Sequence, residues 1–263
     1  MYQTLYLIEY GIPIRRSENE CVVKYQTRLC ARKISSLPFH FFAWLYFDRY
    51  GQSWLIDTGC TASIARAFGK VVDTAIPELL AINFDLHAAE IDHVILTHLH
   101  YDHAGNINPF KRAHFYVQEV EWSYLNSPTL GAYNGDEFYV ESTRRNLNQL
   151  ADTKRLNLLN GSAQLSDDVS VILLSGHSPG LQGVRINLPH STAVLASDAA
   201  HLLKNLETRR PFPKSFDIRK GVESINTLRL LESEGETIIP GHGLPSKLPH
   251  GAHHVQATSL FKT

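Results

Sequence analysis

The run Thr97-His98-Leu99-His100-Tyr101-Asp102-His103-Ala104-Gly105 sets three imidazoles and a carboxylate within six positions, directly after the apolar run Val94-Ile95-Leu96. Neutral imidazole nitrogen and carboxylate oxygen are donors that suit zinc and similar divalent ions. Packing has no use for so many polar groups at the end of a buried strand, since each would need a partner. Three more segments repeat the pattern of an apolar strand followed by a donor beside glycine or serine. They are Leu174-Ser175-Gly176-His177-Ser178-Pro179-Gly180, Leu195-Ala196-Ser197-Asp198 and Ile238-Ile239-Pro240-Gly241-His242-Gly243. Glycine beside a donor lets the backbone turn sharply, and strand ends are where loops build sites. Taken singly, His177, Asp198 or His242 reads as an ordinary loop or capping residue; the set carries the argument. Five histidines and two aspartates from four strand ends suffice for two metals. The expected division gives His98, His100 and His177 to one ion and Asp102, His103 and His242 to the other. Asp198 bridges them through its two oxygens.

Two divalent ions about 3.5–4 Å apart can share a bridging hydroxide and polarise a substrate oxygen. Zinc brings the pKa of bound water to ~7, so a nucleophile exists at neutral pH without serine or cysteine. Ser178 follows a donor but lacks the G-x-S-x-G elbow and reads as a turn residue. The expected reaction is hydrolysis at a carbonyl or phosphoryl centre, with a metal holding the developing oxyanion and Asp102 orienting the nucleophile. Zinc is the first choice of metal; His/Asp ligation also admits Mn, Fe or Co.

Positioning these donors takes several strands. Apolar and β-branched runs closed by turn residues predict strands at 5–10, 21–27, 40–48, 53–57, 91–97, 114–118, 156–159, 169–174, 183–188 and 193–196. Helices are expected at 77–83, over the polar stretch 137–151, and at 218–234. In the last, Val222, Ile225, Leu228 and Leu231 recur on one face, Asp217 can cap the start and Gly235 can end it. The expected architecture is one domain over residues 1–263, two sheets face to face with helices outside, and a lid or insert at about 122–151. Trp122 and Tyr133 are expected in that lid as an apolar wall for an acyl chain, with Phe212 and Phe216 opposite. The aromatic run at 39–47 and the segment 122–139 could equally form a homodimer face.

Hydrophobic residues are 43% and charged residues 19% of the 263, which supports an ordinary packed core. A net charge of −1 provides no bulk field for nucleic acid or an anionic membrane. No apolar run approaches the ~20 residues of a membrane-spanning helix. No basic stretch followed by an apolar one marks a secretory signal. Cys21, Cys30 and Cys60 cannot all pair, and none lies in a CxxC, so a cytoplasmic chain is expected. Of the remaining histidines, His87, His93, His114 and His190 sit in ordinary surface or strand contexts. His250, His253 and His254 read as a solvated tail.

With these residues in place, the chain resembles the metallo-β-lactamase superfamily. The resemblance rests on His98-x-His100-x-Asp102-His103 with His177, Asp198 and His242 downstream. Ile56-Asp57-Thr58-Gly59 is similar to that family's early Asp-Thr-Gly turn, whose Asp supports the site from behind. The resemblance covers about residues 40 to 245 and implies an α+β fold, an αββα sandwich of two mixed sheets. Within the superfamily the chain most resembles the N-acyl homoserine lactone lactonases. The shared features are Tyr116-Val117-Gln118, Gly176-His177-Ser178-Pro179-Gly180, Phe212-Pro213-x-x-Phe216-Asp217, and intervals of 21 positions from His177 to Asp198 and 44 from Asp198 to His242. It implies a small-molecule substrate with an apolar acyl group. One position departs: those enzymes carry a substrate-contacting Tyr three residues after the bridging Asp, where this chain has His201. Imidazole can give a hydrogen bond or a proton there, so His201 joins Asp102 as an expected catalytic residue. Thioesters, as in glyoxalase II, and phosphodiesters are the alternative substrate classes, and a non-catalytic metal-binding effector is the alternative to an enzyme.

Overall fold

The computed structural model describes residues 3–13, 39–72, 74–133 and 135–256. The strand expected at 21–27, with Cys21 and Cys30, lies outside the described residues. In chain order the strands are β1 (Thr4–Pro13), β2 (Phe41–Phe47), β3 (Ser53–Ile56), β4 (Gly59–Cys60), β5 (Lys70–Val72), β6 (His93–Ile95), β7 (His114–Gln118), β8 (Leu156–Leu159), β9 (Ala163–Gln164), β10 (Val169–Leu173), β11 (Gln182–Leu188), β12 (Ser191–Ser197), β13 (Thr237–Pro240) and β14 (Ala252–Gln256). The helices are α1 (Ala62–Ala67), α2 (Ile76–Phe84), α3 (Tyr101–Ala104), α4 (Glu119–Leu125), α5 (Glu141–Asp152), α6 (Leu203–Thr208) and α7 (Ile218–Ser233). The first sheet runs β14-β1-β2-β3-β6-β7-β8, with β5 also on β1; the second runs β13-β12-β11-β10-β9. Both are mixed. The pairs from β3 through β8 are parallel, as is β12 with β13, while β1-β2-β3 and β9 through β12 pair antiparallel.

Strand β2 shows why the layers stack as they do. Phe41, Ala43 and Leu45 face a core shared with Ile76, Leu79, Leu147 and Leu150 of α2 and α5. Phe42, Trp44 and Tyr46 face Val171, Val184, Ile186 and Leu195 of the second sheet. Side chains alternate along a strand, so a run apolar at every position must be covered on both faces. Residues 41–46 of the aromatic stretch are thus central core, while Phe39, at its start, stacks on the His242 ring with centroids 4.0 Å apart. The outer face of the second sheet is closed by α7, whose Ile225 and Leu228 pack on Val194, Ala196 and Ile238. Helices therefore flank two facing sheets, the αββα order. Asp217 caps α7 by accepting from the N–H groups of Arg219 and Lys220, and Gly235 follows it at φ +95°.

Several segments differ from expectation. The stretch 137–151 is a helix only from Glu141. A short 3₁₀ turn at Asp136–Phe138 and an extended Tyr139 and Val140 precede it. Thr143, Leu147 and Leu150 then bury one stripe of α5. The histidines of the C-terminal tract are exposed, as expected, but His253 and His254 lie in a strand and not in a tail. β14 pairs with β1 in parallel, His253 stacks on Tyr6 and His254 reaches the Glu9 carboxylate at 3.1 Å. Helices α1, α3, α4 and α6, of four to seven residues, are too short to show a hydrophobic period.

The close approach of α7 to the second sheet depends on one backbone contact. Gly176 has φ +136°, and a Cβ there would lie 2.3 Å from the Gly221 nitrogen. Gly161, also at positive φ, has open space around it. We expect Gly176→Ala to destabilise by about 3 kcal/mol or more and Gly161→Ala by about 1 kcal/mol, roughly 6–12 °C against 2–4 °C in Tm. Calorimetric melting of both variants checks this; equal shifts would show that the Gly176–Gly221 contact is not limiting.

Candidate active site

The donors converge because a short chain of buried side chains ties the strand ends together. Asp57 follows β3 at φ +64° and its carboxylate accepts the Thr97 N–H and hydroxyl, both at 2.8 Å. The Thr97 oxygen lies 2.8 Å from the Ser197 hydroxyl and 3.3 Å from His98 Nδ1. Asp57 also takes His103 Nδ1 at 2.7 Å. His242 Nδ1 lies 2.7 Å from the His40 carbonyl. These bonds assign the Nδ1–H tautomer to His98, His103 and His242 and turn each Nε2 inward.

Asp198 lies among those nitrogens. Its Oδ1 is 2.9 Å from His242 Nε2 and 3.5 Å from His103 Nε2. Its Oδ2 is 3.0 Å from His201 Nε2, 3.3 Å from His177 Nε2 and 3.9 Å from His98 Nε2. Beyond it, His100 Nδ1 lies 3.1 Å from His98 Nε2 and 3.0 Å from His177 Nε2. Asp102 Oδ2 stands 3.8 and 3.9 Å from His103 and His242 Nε2. Two of the resulting donor groups are His98, His100, His177 and Asp102, His103, His242, each with ligand atoms within 4.8 Å of one another.

The donor set fits metal ions on its own chemistry. Nε2 of His103 and Oδ1 of Asp198 are buried without a hydrogen-bond partner. With protons on the Nδ1 side, the Nε2 atoms of His103 and His242 face the Asp198 carboxylate, a contact that a cation, whether a ring proton or a metal ion, satisfies. The titration behaviour agrees. Burial holds His98 and His177 well below the usual imidazole range and His100 down to about 3, so their lone pairs are free. Burial opposes charge on His103 too, but the carboxylates of Asp198, Asp102 and Asp57 outweigh it and raise that ring to about 10. The field of the site thus gathers positive charge where Asp102, His103 and Asp198 meet. The arrangement is compatible with a dinuclear metal centre.

A further carboxylate, not foreseen from the sequence, organises the other half. Glu121 of α4 is fully buried. It accepts from the N–H of Leu99 (3.2 Å) and Gly180 (2.7 Å) and from the hydroxyls of Ser178 and Tyr139 (2.8 Å each). It thereby joins the loop of His98 and His100 to the loop of His177. Its only sequence signal was a charged residue inside an apolar stretch, three positions after Gln118. Of the expected pocket residues, Phe212 stacks on His201 with ring centroids 4.2 Å apart, and Phe216 meets Tyr133 at 4.8 Å and Tyr124 at 5.2 Å. Trp122 is elsewhere, packed against the helix-side core of the first sheet.

Comparison with known proteins agrees with this geometry. A profile of the metallo-beta-lactamase superfamily matches residues 42–242. N-acyl homoserine lactonase AttM of Agrobacterium fabrum is 28% identical over 197 residues, 70% of each chain. N-acyl homoserine lactonase AiiA of Bacillus thuringiensis subsp. kurstaki is 29% identical over 154 residues, 58% of this chain and 56% of the relative. A crystal structure of a quorum-quenching N-acyl homoserine lactone lactonase superposes with TM-score 0.72 at 24% identity, covering 92% and 93% of the two chains. A structure of an N-acyl homoserine lactone hydrolase, with the product N-hexanoyl-L-homoserine at its catalytic metal centre, superposes with TM-score 0.71 at 23% identity, covering 92% and 94%. The profile match over residues 42–242 and the two-sheet architecture place this chain in the metallo-beta-lactamase superfamily.

Proposed function

We propose that the protein is a dinuclear lactonase that hydrolyses the ester of N-acyl homoserine lactones. The observation that carries this reading is the division of donors around Asp198, with Oδ1 toward His103 and His242 and Oδ2 toward His98 and His177. The lactonase names of the relatives support the substrate class. His98, His100 and His177 would hold one ion and Asp102, His103 and His242 the other, with Asp198 shared between them. When bound, two divalent ions, zinc first among them, supply a water acidic enough to ionise near neutral pH and a Lewis acid for the lactone carbonyl. Asp102 orients the attacking water by accepting a hydrogen bond from it. Asp57 fixes the His103 tautomer from behind.

The acyl chain lies against Tyr133, Phe212 and Phe216. The segment around Tyr133 and Glu137 acts as a lid joined to the 212–216 loop by the Tyr133–Phe216 ring contact and by the ion pair of Lys214 with Glu137. The Lys214 ammonium also sits 4.8 Å from the centre of the Phe138 ring.

Proton release on ring opening of short- and long-chain N-acyl homoserine lactones is the direct test. We expect turnover with two bound ions and none after chelation. Two ions bound with no turnover of either lactone would refute the lactonase assignment and redirect the search to thioesters and phosphodiesters. Asp57→Asn is expected to weaken metal affinity about 10–100-fold, read by competition with a chromophoric chelator; unchanged affinity would show that Asp57 does not tune the site. Tyr133→Ala and Phe216→Ala are expected to raise KM for the long-chain lactone several-fold more than for the short-chain one. Trp122→Ala is expected to leave that ratio as it is. An unaltered ratio in the first two variants would remove the acyl wall.

A further inference from the structure

His201, expected from the sequence to give a hydrogen bond or proton to substrate, has its ring nitrogen among the donor atoms of the cluster. Asp198–Ala200 form a 3₁₀ turn that His201 ends. Residues three apart eclipse in such a turn, so His201 projects on the same side as Asp198. Its Nε2 stands 3.0 Å from Asp198 Oδ2. The donor atoms of His177, Asp198 and His201 all lie within 4.8 Å of one another, the same closeness as the other donor groups. Donors about 2.0–2.1 Å from a tetrahedral zinc are separated by roughly 3.3 Å, and the separations of Asp198 Oδ2 from His201 and His177, 3.0 and 3.3 Å, are of that size. The ring has little freedom to turn away. It is 3% exposed, its face is stacked on Phe212, and Phe39 flanks it at 6.0 Å. Its carbonyl accepts the His242 N–H at 2.8 Å, which ties its backbone to another donor.

We infer that His201 Nε2 is a metal ligand, added to the ion held by His98, His100, His177 and Asp198. That side of the site then has five donors and the Asp102 side four, with Asp198 counted on both. The inference rests on the dinuclear reading above.

Cobalt(II) loading of the full-length protein tests both separately. Metal content per chain is measured first. Fewer than two ions on the wild-type protein would overturn the dinuclear reading and this inference with it. With two ions bound, His201→Phe keeps the stacking on Phe212 and removes the donor, and His201→Gln covers the case in which the Phe variant does not fold. Expected in either variant are stronger visible cobalt absorption, as the coordination number falls, and one fewer hyperfine-shifted exchangeable imidazole N–H proton signal. Affinity for one ion should fall at least tenfold. Loss of a mere hydrogen bond to Asp198 would leave the donor count as it was. Two bound ions with an unchanged cobalt spectrum and an unchanged count of shifted ring protons would therefore overturn the proposal.

Discussion

The site depends on a hydrogen-bonded chain of three small side chains, Asp57, Thr97 and Ser197, that crosses from one sheet to the other. Asp57 follows β3, Thr97 follows β6 and Ser197 ends β12. Each precedes or contacts a donor: Thr97 precedes His98, Ser197 precedes Asp198, and Asp57 holds His103. A carboxylate buried this deeply must be hydrogen-bonded or paired, and Asp57 is satisfied only when all these strand ends are in place. Two of the three sit at strained backbone positions, Asp57 at φ +64° and Ser197 at φ +47°. Strain of about 1–3 kcal/mol per residue persists only where surrounding contacts over-determine it. Here the sandwich core beneath the strand ends and the buried hydrogen bonds above it do so.

The donor set was legible in the sequence because metal chemistry restricts residue type more tightly than packing does. His98, His100, Asp102, His103, His177, Asp198 and His242 all meet at one point, at the strand ends where they were placed. Strands with β-branched or aromatic runs were legible for a related reason: a stretch like 41–46 can be buried only as a strand between two layers. What escaped was local or purely tertiary. The turn that keeps α5 from starting before Glu141 depends on the Asp136 carboxylate accepting the N–H groups of Gly131 and Tyr133 and the Tyr124 hydroxyl, partners invisible to a periodicity argument. β14 has alternation too weak to announce a strand; it exists because β1 offers an edge. Trp122 looked like a lid residue by composition, whereas the helix that carries it turns the indole toward the core.

Glu121 was illegible for a different reason. Its role is read only from what surrounds it, two loops 77 positions apart that bear His100 and His177. Glu121 and Asp57 divide the labour. Asp57 positions His103 and the His98 segment from behind the first sheet, and Glu121 clamps the His98–His100 loop to the His177 loop from the side of α4. Neither carboxylate reaches the donor atoms as a ligand.

The charge balance explains why such a centre calls for cations. Four carboxylates, Asp57, Asp102, Glu121 and Asp198, are buried in or around the donor cluster, and among the described residues no lysine or arginine is buried. Histidine is the only internal source of positive charge. Burial keeps His98, His100 and His177 neutral, and the excess negative field concentrates on His103. A protein that buries carboxylates in this proportion without fixed cations binds external ones more tightly folded than unfolded, because the unfolded chain disperses the donors. Metal binding is then also folding free energy. Through the two carboxylates among the donors, Asp102 and Asp198, a bound metal would add to the stability of the sandwich.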